Sequence, residues 1–436
     1  MIRWHTAGES HGPLLTGILE GIPAQVQITS AQIEVELQRR RQGYGRGARQ
    51  KIETDQLTIS GGIRHGKTTG APIAIHIANA EWDKWATVMS ANPVNPEELK
   101  IAVGRSDERE QARNKTLTRP RPGHADLPGA LKYDQQDLRN ILERASARET
   151  AMRVGLGAIT KAFLKQAAGI EIVSHVTAIG QCKSDAPLPT PAQMAQIDAH
   201  PLRTLSAQAA EAFKEAIDTA KGNQDTIGGK IQVAAYNLPV GLGTHTQWDK
   251  RLDAQIAAAM MSIQAAKSVE IGNGQIDATG KAAHDQFTFH GAPVPQQPGS
   301  CHTHSLNQAQ NAGTAQNIIL AASGFRRTSN HAGGLEGGMT NGEVLTVEVG
   351  FKPISTVPDA LTSFDFATLE LAPAIHQRSD TCAVVPGAVI AEAMLALTLA
   401  NALTDMFGSS TLADLQRNLA AYQERIGARL TKTREE

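Results

Sequence analysis

Two arginine-rich motifs, about twenty residues apart, have the composition of an anion-binding catalytic site. The first is Arg119-Pro-Arg-Pro-Gly-His-Ala-Asp126, in which two prolines and a glycine restrict the backbone around His124. The second, Arg144-Ala-Ser-Ala-Arg-Glu-Thr-Ala-Met-Arg153, adds three more arginines. Guanidinium groups bind phosphate and carboxylate oxygens, and a histidine exchanges protons near neutral pH. We interpret the two motifs as a preorganised site for an anionic ligand.

The second motif also contains the expected start of a helix. Ser146 and Glu149 form a capping-box pattern, and apolar residues then recur at helical spacing as far as Gly169. The free backbone N–H groups and the positive dipole end of such a helix attract phosphate. We therefore expect residues 144–146 to present a helix N-terminus to an anion. The alternative is that Glu149 and Arg153 form an ordinary surface ion pair on an amphipathic helix.

A third candidate is the histidine in Gly8-Glu-Ser-His-Gly12. The segment matches the G-x-S-x-G pattern of serine hydrolases, whose nucleophile lies on a turn from a strand to a helix. Here a predicted strand follows instead, and adjacent side chains on an extended backbone point apart, so Ser10 and His11 are poorly placed as a dyad. We favour His11 as a proton donor between two glycines that let a ligand approach closely. An ordinary turn histidine is the alternative.

The segment Arg39-Arg-Arg-Gln-Gly-Tyr-Gly-Arg-Gly-Ala-Arg49 combines five arginines with three glycines. Arginine forks suit phosphate and carboxylate oxygens, and glycines allow the backbone to move over a ligand, which predicts a flexible anion-binding loop. The alternative is a solvated basic loop or a patch that contacts RNA.

Weaker signals lie further along the chain. Lys352-Pro-Ile-Ser-Thr356 follows an expected strand and offers one cation and two hydroxyls, while Arg378-Ser-Asp380 adds a cation and a carboxylate. Cys301-His-Thr-His304 contains residue types that bind metals, but no second ligand pair at a standard spacing accompanies it. We predict no metal site.

Two glycine turns followed by strands indicate how these motifs are positioned. Residues 61–77 align without a gap with residues 333–349, and in each segment a glycine-rich turn leads into alternating apolar residues. An internal duplication that produces two structurally related halves would explain this similarity. The alternative is that glycine turns before strands are simply common. Helical patterns occur at 146–169, 252–263 and 388–403, with segments rich in β-branched residues before and after them. This arrangement favours an α+β fold over regular βαβ alternation.

The overall composition restricts the class of protein. The 436 residues carry 42 Lys and Arg against 43 Asp and Glu, which argues against binding nucleic acid through bulk charge. Three cysteines support neither a disulfide framework nor a four-thiolate zinc site, and fit a reducing cytoplasm. The N-terminus lacks a signal-peptide pattern, and the apolar run at 388–403 contains Glu392. We expect a cytoplasmic protein in which this run is a buried core helix.

Taken together, the motifs resemble the chorismate synthase family over nearly the whole chain. The resemblance rests on segments that occur in the family's order, namely 8–12, 39–49, 121–126, 144–153 and 378–380. It implies a 1,4-anti elimination of phosphate from 5-enolpyruvylshikimate 3-phosphate to give chorismate, in the shikimate pathway of aromatic amino acid biosynthesis. Reduced FMN is required, although no net redox change occurs. The alternatives are a non-catalytic protein that binds RNA or a phosphoanion through residues 39–49, and a hydrolase that uses Ser10.

The resemblance also implies roles for individual residues. His11 and His124 would be catalytic, one assisting protonation of the flavin and the other acting near the leaving phosphate. Asp380 would help the flavin to accept the substrate proton. Arg40 and Arg46 match positions for NADPH in members that reduce their own flavin, and would contact substrate in other members. The flavin-binding positions would be Arg144, Ala145, Ser146, Gln264, Ala265, Gly337, Lys352, Pro353, Ile354, Ser355, Thr356 and Arg378.

The fold and the assembly are implied in the same way. The family fold is a β-α-β sandwich with helices packed between antiparallel sheets, and its members are homotetramers with flavin sites close to subunit contacts. We expect one domain over residues 1–436, without nucleic-acid or membrane partners. Two features depart from the family pattern. An insertion at about 280–323 is rich in His, Gln and Asn, and residue 145 is alanine where serine is frequent.

Overall fold

The N-terminal part of the chain forms a four-stranded antiparallel sheet. The computed structural model describes residues 1–47, 56–99, 113–289, 325–375 and 379–431. The sheet is made of β1 (Arg3–Ala7), β2 (Leu14–Glu20), β3 (Gln56–Gly61) and, after a hairpin of β4 (Ile63–Arg64) and β5 (Lys67–Thr68), β6 (Ile73–Ala78). Its strand order is β1-β2-β6-β3. Alternate residues of β2 and β6 are buried, as the two-residue period of a strand requires.

A second antiparallel sheet and several short strand pairs follow. The strands are β7 (Glu171–Ile179), β8 (Cys182–Lys183), β9 (Gly229–Tyr236), β10 (Ala266–Ile271), β11 (Phe287–Phe289), β12 (Phe325–Arg327), β13 (Leu335–Glu336), β14 (Met339–Thr340), β15 (Leu345–Phe351), β16 (Thr362–Phe364) and β17 (Leu371–Pro373). The sheet has the order β10-β15-β9-β7-β8, and β11 pairs with β12, β13 with β14, and β16 with β17.

Helices occupy the layer between the sheets and parts of the periphery. They are α1 (Ser30–Arg41), α2 (Trp82–Trp85), α3 (Asp126–Tyr133), α4 (Arg139–Ala145), α5 (Thr150–Ala168), α6 (Met194–Ala199), α7 (Ala207–Gly222), α8 (Leu252–Met261), α9 (Gly280–Ala283), α10 (Val384–Phe407) and α11 (Leu412–Thr431). Short 3₁₀ turns cover Ala147–Glu149, Pro191–Gln193 and Trp248–Lys250.

Helices α5 and α10 form the centre of the sandwich. Helix α5 packs on β2 and β6 of the first sheet, α10 packs on β7, β9 and β15 of the second, and the two helices pack on each other. A Cβ atom at Gly157 of α5 would lie 2.4 Å from the Cβ of Ala393 in α10, so only glycine allows this approach. The predicted α+β fold, with helices between antiparallel sheets, is confirmed.

Helix α10 is long and apolar enough to cross a membrane by length and composition, but 89% of its most apolar stretch is buried inside the protein. The prediction of a core helix is confirmed. Its buried Glu392 accepts hydrogen bonds from Arg39 at 2.8 and 3.0 Å, from Lys161 at 2.8 Å and from Ser174 at 2.6 Å. Burial opposes ionisation of Glu392, but these cations outweigh it and hold its pKa well below its usual range.

The two similar sequence segments occupy equivalent places in the two sheets. In each, a hairpin of two-residue strands precedes the long strand, with β4 and β5 before β6, and β13 and β14 before β15. The hairpin turns share positive φ angles, +51° and +73° at His65 and Gly66 and +59° and +82° at Gly337 and Gly338. Strand β6 lies between β2 and β3, and β15 lies between β9 and β10. The predicted structural relation between the halves is confirmed.

Candidate active site

His11 lies in the turn between β1 and β2 and is bound to Glu143 of α4. The backbone N–H and the ring Nδ1 of His11 both lie 2.9 Å from carboxylate oxygens of Glu143. The backbone N–H of Ser10 donates to the Glu143 carbonyl at 3.0 Å. Glu143 is 1% exposed, and Arg139 lies 3.7 Å from one of its carboxylate oxygens. His11 is therefore fixed by backbone and side-chain contacts to one buried residue.

The imidazole of His11 also stacks on Trp85 of α2. The two ring centroids are 3.7 Å apart and the ring planes differ by 24°. The guanidinium carbons of Arg113 and Arg139 lie 5.1 and 5.7 Å from the Trp85 ring centroid, which is within cation–π range. No sequence motif identifies Trp85 or Glu143 as part of this site. The one signal for Glu143 is its place directly before Arg144 in the second arginine motif.

His124 belongs to a second group, built on Asp126 at the start of α3. Nδ1 of His124 lies 2.6 Å from Asp126 Oδ1 and 3.1 Å from Nη2 of Arg121. Because a guanidinium only donates, we assign the Nδ1 proton to the bond with Asp126. Arg121 donates to the Asp126 carboxylate through Nε at 2.8 Å and through Nη2 at 3.0 Å. Its Nη1 donates to Thr356 Oγ1 at 2.8 Å. The motif residues His124, Arg121 and Asp126 therefore meet as predicted.

Asp126 is the electrostatic centre of this group. It is 0% exposed. Burial opposes ionisation of its carboxyl, but hydrogen bonds from His124 and Arg121 outweigh burial and hold the pKa of Asp126 well below its usual range. The carboxylate can thus fix both the orientation and the tautomer of His124.

Residues 352–356 lie against the turn that carries His124. Lys352 Nζ and Ser355 Oγ both donate to the carbonyl of Gly123, the hydroxyl at 2.8 Å. The backbone N–H of Lys352 donates to the carbonyl of Ala265 at 2.9 Å, and Ala265 has a left-handed φ of +67°. The carbonyl of Ile354 accepts from Thr226 at 2.8 Å, with Pro353 between Lys352 and Ile354 in the same segment. The structure therefore brings Ala265 and residues 352–356 together beside His124.

Ser146 caps the helical segment as predicted. Its hydroxyl accepts from the backbone N–H of Arg148 at 3.3 Å and donates to Ser10 Oγ at 3.2 Å. A 3₁₀ turn at Ala147–Glu149 precedes α5, and the helix is capped at Gly169. The reciprocal hydrogen bond of a capping box, from the backbone N–H of Ser146 to the Glu149 carboxylate, is not formed among the described contacts, so this part of the prediction is wrong. Other donors occupy the Glu149 carboxylate.

The buried carboxylate of Glu149 accepts hydrogen bonds from three other residues. Thr6 Oγ1 donates to it at 2.6 Å, Arg153 Nε at 2.9 Å and Gln264 Nε2 at 3.3 Å. Since Glu149 is 4% exposed, its pairing with Arg153 is not an ordinary surface ion pair. The Oε1 atom of Gln264 is buried and has no hydrogen-bond partner among the described residues. A buried acceptor of this kind suits a ligand that offers a donor.

Arg144 and Ala145 end α4 instead of starting the next helix, so the prediction that residues 144–146 present a helix N-terminus is wrong for these two and holds for Ser146 alone. Arg144 contacts the end of β1. Its Nη2 donates to the carbonyl of Thr6 at 2.8 Å, and its Nη1 donates to the carbonyl of Gly8 at 3.1 Å. Gly337 is placed differently, in the β13–β14 turn. Apart from its neighbours in sequence, no atom of the described residues lies within 4 Å of the position its Cβ would take. No contact among the described residues joins Gly337 to the histidine groups.

Three arginines of the 39–49 segment contact three different parts of the protein. Arg39 binds the buried Glu392. Arg40 is 4% exposed, and donates through Nε to Thr150 Oγ1 at 3.0 Å and through Nη2 to the Ala147 carbonyl at 3.0 Å. The third, Arg46, contacts Asp380, and within the described contacts of these three arginines it alone reaches a predicted catalytic residue.

Asp380 is held by this third arginine. Arg46 donates to its carboxylate in a short hydrogen bond, and the backbone N–H of Gly47 donates to Oδ1 at 2.7 Å. Next to Asp380, Ser379 donates to the carbonyl of Thr356 at 2.7 Å. Asp380 is thereby connected to the group around His124.

One continuous set of contacts therefore joins the predicted site. The hydroxyl of Ser10, in the His11 turn, contacts the hydroxyl of Ser146. Glu149, in the 3₁₀ turn that follows Ser146, accepts a hydrogen bond from Gln264. The next residue, Ala265, accepts from Lys352, and the 352–356 segment contacts Gly123, Arg121 and Ser379. Gly337 is the described site residue that this set does not include.

The structure disfavours both alternative functions. Ser10 is 5% exposed and its hydroxyl is bound to Ser146, while Nδ1 of His11 faces Glu143. A Ser10–His11 dyad is thus not formed. RNA binding by the 39–49 segment would require accessible cations, but Arg39 and Arg40 are buried.

Several predictions fall outside the described residues. They concern Arg378, Arg49, the residues 301–304 and most of the 280–323 insertion. Within the described ranges, no group of three or more His, Cys, Asp and Glu side chains could hold a metal ion.

Comparisons with known proteins identify the family of the chain. The family model described as chorismate synthase matches residues 2–404. The chorismate synthase of Acidothermus cellulolyticus is 51% identical over 432 residues, covering 98% of this chain and 100% of that protein. That of Beutenbergia cavernae is 51% identical over 431 residues, covering 98% and 99%. A crystal structure of chorismate synthase superimposes with a TM-score of 0.70 at 34% identity and covers 98% of each chain. The chain belongs to the chorismate synthase family.

Proposed function

We propose that the chain eliminates phosphate from 5-enolpyruvylshikimate 3-phosphate to form chorismate, with reduced FMN as the cofactor and no net redox change. The observation that carries the proposal is the continuous set of contacts between the His11 turn, the His124 group and Asp380. The substrate bears two carboxylates and a phosphate, so it needs fixed cations in a protein whose formal charge is −1. Arg46, Arg121, Arg144 and Lys352 supply them locally.

His124 would assist the departure of phosphate. Asp126 accepts a hydrogen bond from Nδ1 of His124, so a second proton taken up by the ring is carried on Nε2. This imidazolium would donate the Nε2 proton to the leaving phosphate and become neutral. Arg121 keeps the carboxylate in place and carries a positive charge beside the ring. An elimination of phosphate gains from such a preorganised positive site because negative charge grows on the leaving group.

Asp380 would assist removal of the substrate proton. Its carboxylate is oriented by Arg46 and by the backbone of Gly47, and its side chain is 17% exposed. The group is therefore fixed but still accessible. His11, held by Glu143, would supply the proton that the bound cofactor requires.

The described residues fit a flavin. Gln264 has a buried acceptor, Oε1, without a partner among the described residues, and Gly337 leaves open space where a side chain would stand. The residues that would hold the cofactor are Arg144, Ala145, Ser146, Gln264, Ala265, Gly337 and 352–356, together with Arg378. When bound, reduced flavin supplies the electron chemistry that lets an unactivated C–H and a phosphate be lost together.

Arg40 and Arg46 remain the predicted NADPH positions for a member that reduces its own flavin. Arg46 lies beside Asp380, whereas Arg40 supports the start of the segment that leads into α5. Anaerobic incubation with NADPH and oxidised FMN tests this role. Bleaching of the flavin absorbance would support it, and unchanged absorbance would assign Arg46 to substrate contact.

We further propose a single-domain, cytoplasmic homotetramer without nucleic-acid or membrane partners. One hydrophobic core joins residues of both sheets, which supports one domain. The separation of Gly337 from the described contacts fits flavin sites that lie close to subunit contacts. Light scattering should give about four times the chain mass of 46.4 kDa, and a mass of one chain would contradict the assembly.

The activity is tested by mixing purified protein, 5-enolpyruvylshikimate 3-phosphate and dithionite-reduced FMN without oxygen. Chorismate should form with reduced FMN and not with oxidised FMN. A matched sample of the His124→Ala variant controls for reaction without the enzyme site.

A further inference from the structure

His11 is held by two residues to which the proposed function assigns no task of their own. Both carboxylate oxygens of Glu143 lie 2.9 Å from His11 Nδ1, and one of them also lies 2.9 Å from the His11 backbone nitrogen. An ionised carboxylate can only accept hydrogen bonds. The shared proton therefore belongs to Nδ1, which leaves Nε2 as the ring nitrogen whose protonation can change.

Trp85 fixes the plane of the His11 ring. The two rings stack at a centroid distance of 3.7 Å, so rotation of the imidazole would break the stack, the bond to Glu143, or both. Trp85 is itself ordered by its surroundings. Arg113 lies over its ring and donates to the carbonyl of Lys84 at 3.1 Å, and Arg139 donates to the carbonyl of Arg113 at 2.8 Å.

We propose that Glu143 and Trp85 are positioning residues that present Nε2 of His11 to the reacting ligand. Glu143 selects the tautomer and Trp85 sets the plane of the ring. The inference rests on the proposed function for the identity of that ligand. The tautomer and the plane follow from contacts within the chain and can be measured without turnover.

The tautomer is tested by ¹⁵N NMR of protein labelled at histidine, without flavin or substrate, with His11→Gln used to assign the His11 signal. In the wild type, the proton of the neutral ring should reside on Nδ1. In Glu143→Gln the signal should move toward protonation of Nε2, and Glu143→Asp should lie between the two. Identical His11 signals in all three proteins would overturn the role of Glu143, whatever the outcome of the reaction assay.

The consequence for turnover is a loss in kcat rather than in substrate affinity. Replacing an orienting carboxylate by its amide should lower kcat by about 100-fold and change KM by less than about 3-fold. The matched control is Glu348→Gln, which removes a carboxylate that accepts from Lys230 in the second sheet, and it should retain wild-type kcat. Wild-type kcat in Glu143→Gln would contradict the proposal.

The ring plane is tested by a pair of substitutions at Trp85. Trp85→Phe keeps an aromatic surface and should retain kcat within about 5-fold, whereas Trp85→Leu should lose at least about 10-fold. Trp248→Leu, at a tryptophan that is 75% exposed, controls for loss of an indole elsewhere. Equal kcat values in the two Trp85 variants would overturn the role of stacking. This pair decides the proposal if Glu143→Gln does not fold.

Discussion

The guanidinium of Arg121 donates a hydrogen bond to the hydroxyl of Thr356 at 2.8 Å, across 235 positions of sequence. Through Asp126, the same guanidinium is connected to His124. The contact therefore joins a predicted catalytic turn to the predicted flavin-binding segment. It explains why motifs so far apart in the chain serve one site.

Removing the Thr356 hydroxyl should weaken this connection. Thr356→Val keeps the shape of the side chain but leaves a buried guanidinium donor without its acceptor, which costs about 1–3 kcal/mol of unfolding free energy. Urea unfolding measures the loss. Thr219→Val, at an exposed threonine of α7, should change the free energy by less than about 0.5 kcal/mol, and an equal effect of both substitutions would contradict the role of the contact.

Asp126 should make stability depend on acid pH. Its folded-state pKa is held below the ordinary value of 3.8, so the unfolded chain takes up the proton more readily. The resulting stabilisation is fully present above about pH 5 and is lost as the pH falls through 3.8 toward the folded value. Asp126→Asn should remove it, giving a shallower decline of unfolding free energy between about pH 5 and pH 2. Parallel curves for variant and wild type would refute the assignment.

The two histidines should affect turnover far more than cofactor binding. His11→Ala and His124→Ala should each lower kcat by about 10²–10⁴-fold, the range for loss of a positioned acid or base. The dissociation constant of FMN should change much less. His245→Ala, at an exposed histidine, is the control for both measurements. Wild-type turnover in either active-site variant would remove that histidine from the catalytic residues.

Gln264 should contribute to flavin affinity through its buried Oε1 atom. Gln264→Leu keeps a similar volume but removes the acceptor, so reduced FMN should bind about 10-fold more weakly. Anaerobic fluorescence titration gives the dissociation constant. Gln416→Leu, on the exposed side of α11, should bind FMN as the wild type does. Unchanged affinity in Gln264→Leu would show that its acceptor faces something other than the flavin.

Local patterns predicted the elements of the fold well because each depends on neighbouring residues. Ser146 and Gly169 bound a helical segment as their capping chemistry requires. The glycine turns at 61–77 and 333–349 were predicted because positive φ angles restrict the residue type.

Long-range partners could not be predicted in this way. The pattern at 39–49 predicts an anion-binding loop that includes Arg39, yet Arg39 binds Glu392, which is 353 positions away. A signal existed, since an acid within an apolar helix requires a buried cation, but nothing local identified which cation. No local pattern identifies Trp85 or Glu143 either, because only the folded chain brings them to His11.

Reduced FMN should support the elimination without being consumed. The most direct measurement is the number of chorismate and phosphate molecules formed per FMN in an anaerobic reaction, with the flavin spectrum recorded at its end. We predict many turnovers per FMN, one phosphate for each chorismate, and a flavin that is still reduced. Absence of chorismate, or one oxidised flavin for each product molecule, would contradict the account.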